Sequence, residues 1–178
     1  DAIGLVGSRV VGPTIADDIK SGAVYSIIFS LIVVFLYILI RFRKWQFSLG
    51  AVVALLHDVL FVMGVFSLAD GFLPFQLEVD QAFIAAILTV IGYSLNDTVV
   101  VFDRIRENMG SRGKQNGVSI NKSLNQTLSR TFNTSLTTFF VLLVIFLFGG
   151  EVIRGFMFAL LLGVLVGTYS SLFIATPV

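Results

Sequence analysis

Five long apolar runs, separated by short polar connections, set the pattern of this chain. Ala23 to Ile40 is uncharged over 18 residues, Phe47 to Ala69 is apolar apart from His57-Asp58, and Ala82 to Phe102 is apolar apart from Asn96-Asp97 and small hydroxyls. Phe132 to Phe148 and Phe156 to Ile174 complete the set. Each approaches the roughly 20 residues that an α-helix needs to cross about 30 Å of hydrocarbon. The pattern predicts an all-α integral membrane protein, a five-helix transmembrane bundle with spans at about 21–40, 47–69, 81–103, 131–148 and 154–176. Residues 1–20 read as the end of an external segment and a helix entry, with Thr14 as a candidate cap and Asp17 and Asp18 near the positive end of the helix dipole. Connections at 41–46 and 104–130 join the spans on one side.

Composition agrees with that class. Hydrophobic residues make up 56% of the 178 positions, charged residues only 13%, and mean hydropathy is +0.95. The chain has no cysteine, so disulfide frameworks and thiolate nucleophiles are excluded. No cofactor is implied, and the single histidine has no second ligand at metal-binding spacing. A net charge of +1 provides no basic field for nucleic acid. The chain begins at Asp1 without a methionine or signal-peptide pattern and reads as a fragment of something longer.

Nine of the twelve basic residues fall in the connections 41–46 and 103–131, while Asp70, Glu78, Asp80 and Glu151 gather at the other ends of the spans. The positive-inside bias therefore puts the two basic loops in the cytoplasm, the first residue outside and the last inside. Within the longer loop, Phe102, Ile105 and Met109 extend the third span beyond the bilayer until Gly110, Gly113 and Gly117 interrupt it. Ile120, Leu124 and Leu128 then recur every four residues, which describes an amphipathic helix at the cytoplasmic interface running into the fourth span.

Candidate chemistry lies where polar side chains interrupt the spans. A charge at bilayer depth costs about 2.5–3.5 kcal/mol on insertion scales, so an ionisable residue there is a functional hypothesis by default. Asp97 leads on that ground. Arg130, Thr134, Thr137 and Thr138 line one face at the start of the fourth span. Such a face either snorkels and packs, or makes a hydrogen-bonded track beside Asp97, and the need of Asp97 for a partner favours the track. His57-Asp58, near the middle of the second span, is either a structural pair tying neighbouring helices together or a second element of proton movement. In the last span Gly155, Ala159, Gly163, Gly167, Ser171 and Ala175 form a ridge of small residues at four-residue steps, which suits close helix packing.

The run from Glu78 through Gly92-Tyr93-Ser94-Leu95-Asn96-Asp97-Thr98-Val99-Val100-Val101-Phe102-Asp103-Arg104 to Asn108 closely resembles the SecF family, the second half of bacterial SecDF protein-export motors. Val11-Gly12-Pro13 is similar to the family's entry into its second membrane helix, His57-Asp58 to its third helix, and Leu128-Ser129-Arg130-Thr131-Phe132-Asn133-Thr134-Ser135-Leu136-Thr137-Thr138 to its fifth. Nothing resembles the family's first helix or its large external domain.

The resemblance implies a non-enzymatic member of the resistance-nodulation-cell-division superfamily in the bacterial cytoplasmic (inner) membrane, driven by the proton-motive force. Its implied partners are the SecD half, the Sec translocon channel, an exported polypeptide, protons and the lipid bilayer. It further implies that Asp97 carries the proton, that Arg130 is its associated cation, and that Asn96 and the Thr134 face accompany them. The principal alternative is half of another proton-driven exporter of the same superfamily, moving lipid or drug. An intramembrane aspartyl protease built on Asp58 and Asp97 is disfavoured because the Gly-x-Gly-Asp signature of such enzymes is absent.

Overall fold

A computed structural model describes residues 13–75, 77–109 and 117–176, with the backbone alone for 13–17. It contains five long helices and, among the described residues, no strand. They are α1 (Pro13–Phe42), α2 (Trp45–Ala69), α3 (Gln81–Asn108), α4 (Gly117–Phe148) and α5 (Glu151–Phe173). All five are long and apolar enough to cross a membrane. The protein is an all-helical membrane bundle.

Local chemistry explains most helix ends. Helix α1 starts at Pro13, whose fixed φ suits a first turn, so Thr14 lies inside the helix and Asp17 and Asp18 fall one turn further on. At its other end Arg43 takes a left-handed conformation (φ 58°) and its N–H donates to the Leu39 carbonyl at 2.8 Å, reversing the chain directly into α2. Asp80 caps α3 by accepting from the Phe83 N–H at 2.8 Å. Glu151 sits in the first turn of α5, where the helix dipole favours an anion. The break expected at Gly110 and Gly113 and the extended entry at Val11-Gly12 lie outside the described residues.

Helices α3 and α4 outrun the bilayer. At 1.5 Å per residue they are about 42 and 48 Å long, against about 30 Å of hydrocarbon. The amphipathic segment expected before the fourth span is continuous with it, one helix from Gly117 to Phe148. Where they project, the two helices are tied by polar groups: Asn108 Nδ2 donates to Ser123 Oγ at 2.7 Å and Arg104 Nε to Gln126 Oε1 at 2.8 Å. Phe42, Phe47 and Phe102 cluster with ring centroids 4.9–5.9 Å apart and lock the α1–α2 turn onto α3. At the opposite end Phe66, Phe75, Phe83, Phe146 and Phe158 form a second aromatic cluster.

The centre of the bundle is the seam between α3 and α5, the most extensively packed helix pair. Of the small-residue ridge, Ala159, Gly163, Gly167, Ser171 and Ala175 are buried and Gly155 is half-buried; Gly163 and Gly167 meet α3, while the Ala175 carbonyl, just past α5, meets Gly50 of α2. The approach is close enough that a methyl group on Gly163 would overlap Val90 Cγ2, and one on Gly167 would lie 3.0 Å from Ser94 Cβ. Without a hydrophobic drive between helices in lipid, such backbone approach and the hydrogen bonds it permits hold the pair together. Polar residues at this seam therefore face protein rather than acyl chains.

Candidate functional site

Two carboxylates enter the seam, Asp58 from α2 and Asp97 from α3. Asp97 is 4% exposed. Its Oδ2 lies 3.4 Å from Ser135 Oγ of α4, and Ser135 Oγ lies 2.6 Å from Thr168 Oγ1 of α5. Ser135 and Thr168 in turn line a largely apolar groove of about 740 Å³ between α4 and α5. A short hydroxyl chain thus connects the buried acid to the bundle surface. The Thr168 hydroxyl has a choice, because the Val164 carbonyl of its own helix is also 2.6 Å away.

Asp58 is fully buried. Its Oδ2 accepts from Ser94 Oγ of α3 at 2.7 Å and from Ser170 Oγ of α5 at 2.8 Å, while its Oδ1 lies 3.3 Å from Nδ1 of His57. Three helices meet at this one carboxyl group. The His57 side chain is 37% exposed and stacks loosely near Phe61, so one edge of the cluster reaches the bundle surface. Bonding between helices falls to Asp58 and the serines, whereas His57 bonds its sequence neighbour.

The remaining residues singled out from the sequence sit elsewhere. Arg130 is exposed, and among the described residues no ion pair within 4.0 Å joins it to Asp97. It borders a cleft of about 330 Å³ shared with Arg41, Asp103, Arg104, Glu107 and Thr127. Thr134 and Thr137 are exposed, with hydroxyls within reach of carbonyls of their own helix at 2.9–3.1 Å. Thr138 is half-buried, bonds the Thr134 carbonyl at 3.0 Å and accepts from the Tyr93 hydroxyl at 3.3 Å. Asn96 is exposed beside the buried Asp97, as adjacent residues on a helix, about 100° apart, can be. The bundle therefore brings Asp97 together with Ser135 and Thr168, and turns Asn96, Arg130, Thr134 and Thr137 outward.

The buried face of α4 is the column Ser123, Thr127, Thr131 and Ser135, whose first and last members meet α3 at Asn108 and Asp97. Sequence reasoning passed over it, although its regular four-residue step was a readable signal. Ser94, Thr168 and Ser170 carried no comparable signal. Among the described residues no three His, Cys, Asp or Glu side chains converge as metal ligands.

The model of the SecD/SecF protein export membrane protein, C-terminal region, matches residues 3–178. The chain belongs to the SecD/SecF family. It is 60% identical over 175 residues to the protein translocase subunit SecF of Rhodothermus marinus, covering 98% of this chain and 56% of that protein. It is 48% identical to the SecF subunit of Thermodesulfovibrio yellowstonii over 94% of this chain and 54% of that one, and 49% identical to that of Vibrio alginolyticus over 93% and 51%. The crystal structure of SecDF in a super-membrane-facing form superposes with a TM-score of 0.78 at 42% identity, covering 89% of this chain and 21% of that one. The chain spans about half the length of the SecF relatives it matches. The family resemblance read from the Gly92–Asp103 motif and its companions is thereby confirmed.

Proposed function

We propose that this chain is the membrane-embedded part of a SecF-type subunit that uses the proton-motive force, through Asp97, to drive a late stage of protein export in the bacterial cytoplasmic membrane. The observation that carries the reading is the placement of Asp97: sheltered from lipid inside the seam, yet linked by Ser135 and Thr168 to a surface groove. Relatives named as protein translocase subunits favour a polypeptide cargo over lipid or drug.

The outward polar stripe supports a partner. Asn96 on α3 and Arg130, Asn133, Thr134 and Thr137 on α4 face away from the bundle, where hydrocarbon would leave an amide and a guanidinium unsatisfied. A SecD-like half covering that stripe answers the need and would bring polar groups up to Asp97 from the other side. The Sec channel and the exported chain belong to the same assembly. The basic ends of the helices face the cytoplasm in this reading, so Arg130 and its cleft open inward.

Mechanistically, desolvation favours the neutral form of a carboxyl group and a guanidinium at close range favours the charged form. A helix movement that brings Arg130 up to Asp97 drives the proton off, and its withdrawal lets the acid reload. One charge crossing the full field is worth about 2.3 kcal/mol per 100 mV, enough to bias a two-state rearrangement. Asp97→Asn in the full-length protein should leave insertion and assembly intact and abolish the stimulation of export by an imposed proton gradient in membrane vesicles. Undiminished stimulation in that variant would remove Asp97 from the mechanism.

A further inference from the structure

Asp58 is the more deeply buried of the two carboxylates, and the reading above leaves it unused. Nothing about its surroundings resembles a static apolar clamp. Two serine hydroxyls from different helices converge on one oxygen, and a surface-reaching imidazole meets the other. Among the described residues His57 is the titratable group in contact with Asp58. From α3 the next acid is Asp97, close to one turn beyond Ser94, and the α5 groups facing the cluster are uncharged.

The donors on α5 have alternatives. The Ser170 hydroxyl carries one proton and has two acceptors, Asp58 Oδ2 at 2.8 Å and the Gly167 carbonyl of its own helix at 3.2 Å. Thr168 has the same choice between Ser135 Oγ and the Val164 carbonyl. A hydrogen bond to an ionised acceptor is roughly twice as strong as one to a neutral acceptor. A charged Asp58 therefore holds the Ser170 hydroxyl across the seam, and a neutral one releases it to the helix backbone. Gly167, the residue whose carbonyl receives it, is the position pressed against Ser94, the other donor to Asp58. Changes at either acid thus reach the same two turns of α5.

We propose that Asp58 is a second proton-exchanging site, loaded through His57, and that the Val164–Ser171 stretch of α5 responds to the protonation of both Asp58 and Asp97. The loading step is a simple transfer. Imidazolium at His57 gives its Nδ1 proton to Asp58 Oδ1, leaving a neutral imidazole and a neutral acid, with no co-reactant. The neutral ring keeps its Nε2 proton and is bare at Nδ1, so it reloads when the half-exposed side chain rotates Nδ1 away from Asp58 to the surface and takes a proton there. The proposal extends the reading of Asp97 as proton carrier and assigns Asp58 to the same cycle.

Infrared difference spectra of the full-length protein in lipid bilayers, recorded as pH is stepped, test this through the carbonyl band of protonated carboxyl groups. In an Asp97→Asn background one pH-dependent carboxyl band is expected to persist. It should persist to higher pH when Ser170→Ala is added, because the lost hydroxyl bonds the charged form of Asp58 and not the neutral one, and disappear with Asp58→Asn. The Ser170→Ala arm keeps the test open should Asp58→Asn fail to fold. A spectrum in which no pH-dependent band answers to either substitution, or one in which the Asp58 band is present at every pH, would overturn the proposal. Export assays separate the two readings: undiminished proton drive in Asp97→Asn would sink the role of Asp97 while leaving the Asp58 band to be judged alone.

Discussion

Gly163→Ala tests the seam on which both carboxylates depend. The added methyl would overlap Val90 Cγ2 and sit 2.7 Å from Cγ1 and 2.9 Å from Cβ. Carbon atoms pack at about 3.5–4.0 Å, and rotating Val90 relocates its methyls but not its Cβ, so α3 and α5 must part by roughly 0.6–1.1 Å. Overpacking of this kind costs about 1–3 kcal/mol. Alanine gains about 1 kcal/mol over glycine in a helix, which offsets part of that loss. Gly64→Ala is the control, since nothing lies within 4 Å of its new methyl, and it should be neutral or stabilising. The two variants are expected to differ by about 1–3 kcal/mol in equilibrium unfolding from mixed micelles. Val90→Ala, added to Gly163→Ala, should recover part of the loss, with a coupling of about 0.5–3 kcal/mol in the double-mutant cycle. Equal stability of Gly163→Ala and Gly64→Ala, or additivity with Val90→Ala, would refute the close approach of α3 and α5.

Three further outcomes follow from named contacts. Ser135→Ala removes the side-chain donor on Asp97 and should weaken proton-driven export more than Thr168→Val, which keeps that donor and alters only its neighbour; vesicle export assays of the two variants compare them. Asp80→Ala deletes the α3 cap and should cost about 0.5–2 kcal/mol, seen as faster hydrogen exchange confined to the first turn of that helix. The Arg41–Asp103 pair at 3.2 Å is exposed on both sides, so Arg41→Gln should change stability by less than about 1 kcal/mol, whereas Phe102→Ala, opening the aromatic cluster beneath it, should cost about 3–5 kcal/mol.

The spans were legible because hydrocarbon thickness imposes a length on them that a run of apolar residues displays directly. The ridge from Gly155 to Ala175 was legible for a related reason: a four-residue step of small side chains has few uses in lipid other than backbone approach. The inward face of α4 was legible only in part: the four-residue step from Ser123 to Ser135 stood in the sequence, the direction it faces did not. That helix carries hydroxyls on two sides, Thr134 and Thr137 on one and Thr131 and Ser135 on the other, and which side meets α3 is settled by packing over its whole length. Serine and threonine in a span are also ambiguous singly, since a hydroxyl can bond its own helix carbonyl at little cost. Thr134 does so, while Ser94 crosses to Asp58, and no local pattern separates them. Asp58 stood out as a buried acid, but its partners Ser94 and Ser170 are 36 and 112 positions away in the chain.

Proton uptake by proteoliposomes containing the full-length protein with its partner half tests most directly whether a carboxyl group at position 97 carries the proton. With a pH-sensitive dye trapped inside, wild-type vesicles should acidify when an outside-acid gradient is imposed, Asp97→Glu should retain part of that flux, and Asp97→Asn should show none above protein-free vesicles. Flux through Asp97→Asn equal to that of wild type would contradict the account.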